Sequence, residues 1–578
     1  MPDFIEIDHL SFSYPTRSAM PEPTLKDIGL SIREGEFVAV IGHNGSGKST
    51  LGKMLNALLI PDSGNVIVAG MNTRQRERHA SIRSMVGMVF QRPQDQIVAT
   101  TVAEDTAFGP ANLGLAPAEI RRRVSGALKA TGLADYADRP SYMLSAGETQ
   151  RMALAGVLAM QPKCVIFDET TAMLDPVGRE MVLEQARALK AQGLTVIFIT
   201  HLMDEAAQAD RVVVLNEGRL VMDGNPRSIF SNEAELKKIG LELPETAELS
   251  RQLHQLIPHI SSGNLFKSDL FREIPQYSGD GQPQRMKHPA SSTPKVIEVE
   301  HLTHVYLRGG LLAHPSLNGI NYSVNQGSAS GLMGSTGSGK STLLQHLNAL
   351  IKPQQGRVSV FGEDLSKMDL DIRQLRSRVG LVFQQPEHQI FEQYVGDEVA
   401  FAARNFKVVG KLSEIVRDAM NSVGLDFEKF KDRFTSSLSG GEQRKVALAS
   451  VLAGQPEILL LDEPLAGLDP QSRQTLSNHL RKLKALRLTL VVSTHQLEVT
   501  MEWLDEISVL AKGKDVLAGD PGTVFKQIDS LAEFGLTAPL AVRVANAFRQ
   551  KGWPIKEDAI TSTRLIDYLG VLLEGSHP

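Results

Sequence analysis

Short apolar runs alternate with amphipathic stretches along this chain of 578 residues. The run FVAVIG (37–42) leads into a glycine-rich loop. After that loop, four apolar residues follow the i, i+3, i+4, i+7 spacing of one helix face: Leu51, Met54, Leu55 and Leu58. Further β-branched runs of strand length are CVIFDE (164–169), TVIFIT (195–200) and RVVVLNEGRL (211–220). Strand–loop–helix units in this order predict an α/β fold with a largely parallel sheet.

The whole pattern occurs twice. GHNGSGKST at 42–50 returns as GSTGSGKST at 334–342, an offset of 292 residues. Other pairs keep the same order at offsets of 293 or 294: VFQRPQDQIV (89–98) with VFQQPEHQIF (382–391), LSAGETQR (144–151) with LSGGEQRK (438–445), VIFDE (165–169) with LLLDE (459–463), and TH (200–201) with TH (494–495). A duplicated domain explains this order, with halves at roughly 1–285 and 295–578. The stretch 275–294 is rich in Pro, Gly, Ser and Gln, which predicts a flexible linker.

Composition and charge narrow the class of protein. With 42% hydrophobic and 22% charged residues, the chain resembles an ordinary globular protein. A net charge of −5 argues against a nucleic-acid surface, and the single Cys164 excludes a disulfide framework. No apolar run reaches the roughly 18 residues that cross a bilayer, and MPDFIEIDH lacks a signal pattern. We therefore expect a cytoplasmic chain, held at a membrane only by a partner.

Both glycine-rich loops fit G-x-x-x-x-G-K-[ST], and each follows a strand and opens a helix. Glycines let backbone N–H groups curl around phosphate oxygens. We expect Lys48 and Lys340 to reach the β- and γ-phosphates of ATP, and Ser49 and Ser341 to ligate Mg²⁺. The loop residues predicted to bind ATP are Gly42, Asn44, Gly45, Ser46, Gly47, Lys48, Ser49 and Thr50 in the first half, and Gly334, Thr336, Gly337, Ser338, Gly339, Lys340, Ser341 and Thr342 in the second.

An acidic pair ends one strand in each half. Asp168 and Asp462 close apolar runs, at the strand edge where open α/β sheets bind ligands, and Asp is the expected partner of Mg²⁺ in phosphate-loop sites. Glu169 and Glu463 come next, and each is predicted to polarise the attacking water.

Together these motifs resemble the ABC ATPases, the nucleotide-binding subunits of ABC transporters, and LSGGE at 438–442 is close to that family's signature sequence. The resemblance implies further site residues. They are the Q-loop Gln91 and Gln384, also near Mg²⁺, the D-loop Asp175 and Asp469, the switch His201 and His495, the adenine-stacking Tyr14 and Tyr306, and the signature residues Ser145, Gly147, Ser439 and Gly441. It also implies two P-loop domains, each with a helical subdomain, paired head to tail.

In that pairing each ATP lies between the phosphate loop of one half and the signature of the other. Site one would combine Lys48, Asp168, Glu169 and His201 with Ser439 and Gly441, and site two would combine Lys340, Asp462, Glu463 and His495 with Ser145 and Gly147. The first signature departs from the family pattern because Ala146 replaces a glycine. If that backbone required φ > 0, Ala146 would be strained by about 1 kcal/mol or more. We expect a negative φ and two hydrolysing sites.

Finer features resemble the energy-coupling factor (ECF) importers of vitamins and transition metals, with an A1-like first half and an A2-like second half. G-L-x-x-P patterns at 239–253 and 534–548 resemble the family's C-terminal helical extension. The predicted segments are a first ATPase domain (1–235), its extension (236–274), the linker (275–294), a second ATPase domain (295–528) and its extension (529–578).

The resemblance implies a transmembrane scaffold docked near Gln91 and Gln384, a separate small membrane protein that binds the substrate, and a place at the cytoplasmic face of the cell membrane. The sequence departs from the family pattern in the region expected to contact the scaffold. Gln94 stands where the family has an acidic residue, and Ala402 and Ala403 stand where it has Gly-Pro. Two alternatives remain open. One is the fused ATPase of another importer, such as a sugar importer. The other is a soluble ABC machine acting on ribosomes, disfavoured because no long charged arm separates the halves.

Overall fold

A computed structural model of the protein describes residues 3–15, 23–172, 174–277, 293–310, 313–466, 468, 470–494 and 497–574. Three sequence predictions lie outside the described residues: His495, Asp469 and most of the linker, 278–292. The chain divides into two compact units, Met1–Glu273 and Ile274–Pro578, here called unit one and unit two.

Unit one contains two sheets. Its strands are β1 (Asp3–Phe12), β2 (Leu25–Arg33), β3 (Phe37–Ile41), β4 (Ser63–Val68), β5 (Met71–Asn72), β6 (Val86–Val89), β7 (Cys164–Asp168), β8 (Thr195–Ile199), β9 (Arg211–Asn216) and β10 (Arg219–Gly224). The antiparallel sheet has the order β2-β1-β4-β5, and the larger sheet has the order β10-β9-β3-β8-β7-β6. Strands β9 to β6 are parallel, as predicted, and β10 pairs antiparallel with β9.

The helices of unit one cover the larger sheet and build a helical subdomain. They are α1 (Lys48–Leu55), α2 (His79–Met85), α3 (Val102–Asn112), α4 (Pro117–Ala130), α5 (Ala146–Ala159), α6 (Pro176–Ala191), α7 (Met203–Ala206), α8 (Pro226–Phe230), α9 (Glu233–Lys238), α10 (Glu245–Leu256) and α11 (Lys267–Glu273). In the subdomain, α3, α4 and α5 pack around a core that includes Val102, Leu128 and Met152.

Unit two repeats this plan. Its strands are β11 (Lys295–Tyr306), β12 (His314–Asn325), β13 (Ala329–Met333), β14 (Gln355–Val360), β15 (Glu363–Asp364), β16 (Val379–Val382), β17 (Ile458–Asp462), β18 (Thr489–Ser493), β19 (Glu506–Ala511) and β20 (Lys514–Gly519). Its helices are α12 (Lys340–Leu347), α13 (Ile372–Arg378), α14 (Val395–Phe406), α15 (Leu412–Ser422), α16 (Phe427–Phe430), α17 (Gly440–Leu452), α18 (Pro470–Ala485), α19 (Leu497–Thr500), α20 (Pro521–Phe525), α21 (Ile528–Glu533), α22 (Leu540–Gln550) and α23 (Ser562–Glu574). The sheet orders are β12-β11-β14-β15 and β16-β17-β18-β13-β19-β20.

The central strands β3, β7 and β8 are buried on both faces, which explains their continuous apolar sequences. Cys164 of β7 is fully buried, and burial raises the pKa of its thiol. Because β7 and β8 are parallel, their carboxyl ends meet at one edge of the sheet, with Asp168 opposite Ile199. In unit two Asp462 lies opposite Ser493 in the same register.

The prediction for Leu58 is wrong. Leu51, Met54 and Leu55 are buried on one face of α1, but the helix ends at Leu55 and Leu58 is 41% exposed. Ala57 adopts φ 53°, in the left-handed region, which turns the chain away before the fourth apolar position. The i+7 position of the apolar pattern, Leu58, therefore lies beyond the end of the helix.

The G-L-x-x-P patterns mark a helix end followed by a helix start. After α9, Gly240 adopts φ 76° and the N–H of Leu241 donates to the carbonyl of Leu236 at 2.9 Å, a glycine C-cap. Pro244 then stands directly before α10. Gly535 repeats the turn with φ 71° after α21. Among the described residues, no helix is both long and apolar enough to cross a membrane.

Candidate functional site

The first glycine-rich loop is a tight turn between β3 and α1. Gly47 caps α1 with φ 98°, and a Cβ there would lie 2.7 Å from Leu25 Cδ2. The buried Lys48 extends back along the loop, and its Nζ donates to the carbonyls of Gly42 at 2.8 Å and His43 at 3.0 Å. The loop therefore holds an ammonium group and the first N–H groups of a helix around one concave surface, as a phosphate requires.

The second loop has the same geometry. Gly339 caps α12 with φ 104°, and a Cβ there would lie 2.7 Å from the carbonyl oxygen of Ser316. Lys340 donates from Nζ to the carbonyls of Gly334 at 2.7 Å and Ser335 at 3.1 Å. Both loops can thus receive phosphates in the same way.

Oxygen ligands suited to Mg²⁺ lie beside each loop. The Ser49 hydroxyl donates to Asp168 Oδ1 at 2.7 Å, which brings together two of the three residues predicted near Mg²⁺ in unit one. Burial raises the pKa of Asp168 to about 6, and it also raises the pKa of Asp462, which lies beside Ser341. A hydroxyl and a carboxylate are the hard oxygen donors that Mg²⁺ prefers, so these residues fit the ion.

Glu169 lies at the centre of unit one's site. Its carboxylate accepts a hydrogen bond from Gln91 Nε2 at 2.9 Å, and it lies 3.6 Å from Lys48 Nζ and 3.8 Å from His201 Nδ1. Burial acts to raise the pKa of Glu169, but His201 and Lys48 together outweigh it and hold that pKa below its ordinary value. The residue is therefore a carboxylate near neutral pH, as a base that accepts a proton from water must be.

Both glutamates have an unusual backbone. Glu169 adopts φ 48° and Glu463 adopts φ 47°, a left-handed conformation that non-glycine residues adopt infrequently. Such conformations concentrate at functional sites, where the surrounding fold holds them. Glu463 Oε1 lies 3.8 Å from Lys340 Nζ, which repeats the arrangement of unit one.

The two predicted adenine-stacking rings lie beside the loops. Tyr14 is 40% exposed and its hydroxyl lies 3.3 Å from Thr50 Oγ1. Tyr306 is 37% exposed and its hydroxyl lies 3.2 Å from Thr342 Oγ1. The hydroxyl of each tyrosine thus lies against the phosphate loop, and each ring is partly exposed.

The signature residues lie at the start of long helices. Ser145 and Ser439 are the N-caps of α5 and α17, each in a capping box with a glutamate, Glu148 or Glu442. Within the described part of each unit, no hydrogen bond joins the signature residues Ser145, Gly147, Ser439 or Gly441 to a phosphate loop. The signature is therefore a separate surface of its own unit.

Ala146 is the first residue of α5, and the matching Gly440 is the first residue of α17. Gly440 does not adopt a left-handed φ, and a Cβ added there would meet nothing within 4 Å of its own unit. The position therefore takes an alanine without backbone strain, in line with the expected negative φ.

Asp175 and Gln384 also make structural contacts within their own units. Asp175 is the N-cap of α6 and accepts a hydrogen bond from the N–H of Gly178 at 2.8 Å, so a structural role accompanies any role at the site. The backbone carbonyl of Gln384 accepts a hydrogen bond from Arg444 at 3.1 Å.

Arg444 was missed by sequence reasoning. Its buried guanidinium also donates to the carbonyls of Pro464 and Ala466, so it joins the Q-loop of unit two to the segment after Glu463. Arg444 comes two residues after the signature glutamate. An arginine buried in a helix needs hydrogen-bond acceptors, and this position is the signal that could have identified it.

Comparison with known proteins agrees with these motifs. The ABC transporter family model matches residues 25–172 and 317–466. A relative from Methanosarcina acetivorans, provisionally described as an ABC transporter ATP-binding protein, is 34% identical over 95% of this chain and 91% of its own length. The energy-coupling factor transporter ATP-binding protein EcfA1 of Clostridioides difficile is 49% identical over 48% of this chain and 100% of its own length.

A solved structure, cbiO1 from Clostridium perfringens, covers 43% of this chain and 98% of its own length at 36% identity, with a TM-score of 0.38. The two matched segments, the full-length relative and the paired phosphate loops lead to one conclusion. The chain belongs to the ABC transporter family and is an ABC ATPase with two tandem ATPase domains.

Proposed function

We propose that this chain is the subunit that binds and hydrolyses ATP in an ECF-type importer of vitamins or transition metal ions, acting through a transmembrane scaffold. The observation that carries the proposal is the 49% identity to an energy-coupling factor ATP-binding protein along that protein's whole length. A second such relative, from Caldanaerobacter subterraneus, is 50% identical over 91% of its length. The two ATPase domains of this chain would then do the work of two ECF subunits.

Each site residue would have its own role in ATP hydrolysis. The loop amides and Lys48 bind the phosphates, Glu169 accepts a proton from the attacking water, and Gln91 orients Glu169 through their 2.9 Å hydrogen bond. His201, whose Nδ1 lies 3.8 Å from the Glu169 carboxylate, would contact the terminal phosphate. Mg²⁺, held by Ser49 and Asp168 with Gln91 nearby, would neutralise charge on the phosphates when bound. Unit two would act alike through Lys340, Glu463 and His495.

Head-to-tail pairing would complete each site. The N-terminus of a helix carries positive partial charge and unpaired N–H groups, so Ser439 and Gly441 on the 13-residue α17 suit a phosphate bound at Lys48. Ser145 and Gly147 on α5 would serve the phosphate at Lys340 in the same way. ATP would then favour the closed pair because only that pair binds it from both sides.

Exposed apolar side chains offer a docking surface for the scaffold. Phe391 and Phe401 are 62% and 38% exposed, and their rings contact edge to face at 4.6 Å. They follow Gln384 in the chain, and Phe401 lies on α14 of the helical subdomain. In unit one, Val98 and Phe108 are 58% and 51% exposed at the matching positions. Such surfaces suit the apolar face of a cytoplasmic helix, which would hold this chain at the inner face of the membrane.

Affinity purification from detergent-solubilised membranes tests the proposal. The tagged wild-type chain should co-elute with one polytopic membrane protein and one small membrane protein. Aspartate at all four positions, Val98, Phe108, Phe391 and Phe401, should lose both partners. Met368→Asp is the matched control, because Met368 is 98% exposed in unit two, and it should retain them. Co-elution with ribosomes, or with a transporter that relies on an extracytoplasmic binding protein, would contradict the ECF proposal.

A further inference from the structure

A buried carboxylate joins two segments of the site in unit one. Glu205, on α7, is 4% exposed, and its Oε2 accepts hydrogen bonds from the hydroxyls of Thr200 at 2.5 Å and Thr171 at 3.0 Å. Both threonines are buried as well. The Thr200 hydroxyl also accepts a hydrogen bond from the N–H of Leu202 at 3.0 Å. One side chain thus fixes the turns that follow β7 and β8.

Those two turns carry the reacting groups of the proposed site. Thr171 comes two residues after Glu169, and Thr200 comes directly before His201. The backbone also joins them, because the N–H of Glu169 donates to the carbonyl of Ile199 at 2.9 Å. Glu205 therefore adds a side-chain link between the segment of the general base and the segment of the switch histidine.

Unit two keeps a threonine, Thr494, where unit one has Thr200, but it replaces the other two polar residues. At the offset of 294 residues, Leu465 replaces Thr171 and Val499 replaces Glu205. Leu465 lies in the apolar core of unit two, and Val499 packs against that core. The two polar residues that bond to each other in unit one are thus replaced together by two apolar residues.

Unit two makes the same link with a different side chain. The Ser493 hydroxyl donates to Asp462 Oδ1 at 2.6 Å and accepts a hydrogen bond from the N–H of Glu463 at 2.9 Å. Ser493 is fully buried on β18, opposite Asp462. In unit one that position is Ile199, which has no hydroxyl.

We propose that Glu205 in unit one and Ser493 in unit two are positioning residues for ATP hydrolysis: each ties the strand end that carries the acidic pair to the segment that carries the switch histidine. The inference rests on the site assigned above. Two side chains with different chemistry meet one geometric requirement, because the distance between a general base and the reacting phosphate must be held to a fraction of an ångström. Packing alone does not explain why Ser493 and Glu205 occur in opposite halves.

Exchange of the two links tests the proposal in the full chain. Thr171→Leu combined with Glu205→Val installs in unit one the apolar pair of unit two. The expected result is at least a twofold loss of kcat for ATP, with KM unchanged within twofold, because the phosphate loop is untouched. Addition of Ile199→Ser to this double variant supplies the missing hydroxyl and should recover at least half of the lost rate.

Recovery by a third substitution separates positioning from general damage, because an added polar group in a buried strand would not repair a merely destabilised fold. A double variant with wild-type kcat, or a triple variant with no recovery, overturns the proposal. If the double variant does not fold, Ser493→Ala gives the same decision in unit two. That change removes one oxygen, and it should lower kcat at least twofold at unchanged KM. Wild-type kcat in Ser493→Ala overturns the proposal equally.

Glu169→Gln separates failure of this inference from failure of the site assignment. If Glu169→Gln retains wild-type turnover, the assigned site itself is wrong. If Glu169→Gln loses turnover while the double variant and Ser493→Ala retain it, the site stands and the positioning role is wrong.

Discussion

Two buried histidines next to Tyr306 should make unit two sensitive to acid. His346, on α12, is fully buried and its Nδ1 donates to the carbonyl of Thr342 at 2.7 Å. The centre of its ring lies 4.9 Å from the centre of the His304 ring. The centre of the His304 ring lies 4.6 Å from that of Tyr306. Among the described residues, His346 Nε2 and His304 Nδ1 have no hydrogen-bond partner. Unit one has Met54 and Phe12 at the matching positions.

Burial lowers the pKa of His346 from its ordinary value of 6.5 to about 4, because it deprives the charged ring of water and outweighs the hydrogen bond to Thr342. In the folded unit the ring therefore stays neutral while the unfolded chain takes up a proton. The free energy of unfolding of unit two is therefore highest above pH 6.5, where the ring is neutral in both states. It decreases as the pH falls from 6.5 towards 4. Linkage between these two pKa values gives a loss of about 2 kcal/mol at pH 5 relative to pH 8.

The test is urea unfolding at pH 8 and pH 5, at constant ionic strength. Tryptophan fluorescence reports on unit two alone, because the chain's two tryptophans, Trp503 and Trp553, both lie there and are buried. His346→Met, which installs the residue of unit one, should reduce the pH 8 to pH 5 difference in unfolding free energy by about 2 kcal/mol. His388→Met, at an exposed position, should leave it unchanged. An equal pH dependence in His346→Met and wild type would show that His346 does not cause the loss of stability in acid.

Three further predictions follow from individual positions. Gly339→Ala should weaken MgATP binding at unit two more than tenfold, measured with a fluorescent nucleotide, because its Cβ would lie 2.7 Å from a backbone oxygen at φ 104°; unchanged affinity would contradict this. Ala146→Gly and Gly440→Ala should each change ATP turnover less than twofold, because that position begins a helix with open space around it; a larger loss in either would show that the position matters. Trp553→Ala should lower the free energy of unfolding of unit two by about 3–5 kcal/mol, measured by circular dichroism in urea, because Trp553 packs on Phe548 and Tyr277 and donates to the carbonyl of Pro275; a change below 1 kcal/mol would contradict it.

The parallel sheet and the phosphate loops could be predicted from the sequence because they depend on local patterns. A run such as FVAVIG followed by a glycine-rich loop fixes a strand, a turn and a helix start with few alternatives. The end of α1 could not be predicted the same way. Leu58 kept the helical spacing, but the left-handed Ala57 ended the helix before it, and nothing in the spacing marks that turn.

Hydrogen bonds between residues far apart in the sequence could not be predicted from the motifs either. Thr171 and Glu205 are 34 residues apart, and only the pairing of β7 with β8 brings them into contact. A signal was nevertheless present, because the duplication allows each half to be read against the other. Thr171 and Glu205 of the first half correspond to Leu465 and Val499 of the second. In the same way, Phe12 and Met54 of the first half correspond to His304 and His346 of the second. Paired differences between the halves therefore mark contacts.

In each unit the phosphate-loop lysine lies within 4 Å of a glutamate, Glu169 or Glu463, that adopts φ 47–48°. We expect both sites of this tandem ATPase to hydrolyse ATP. Steady-state ATP turnover of the purified chain as Glu169→Gln and as Glu463→Gln tests it most directly. Each single variant should fall to a tenth of the wild-type rate or less, because under the proposed function each site needs its own base and the two domains would act as a pair. A wild-type rate in either variant would show that its site is idle.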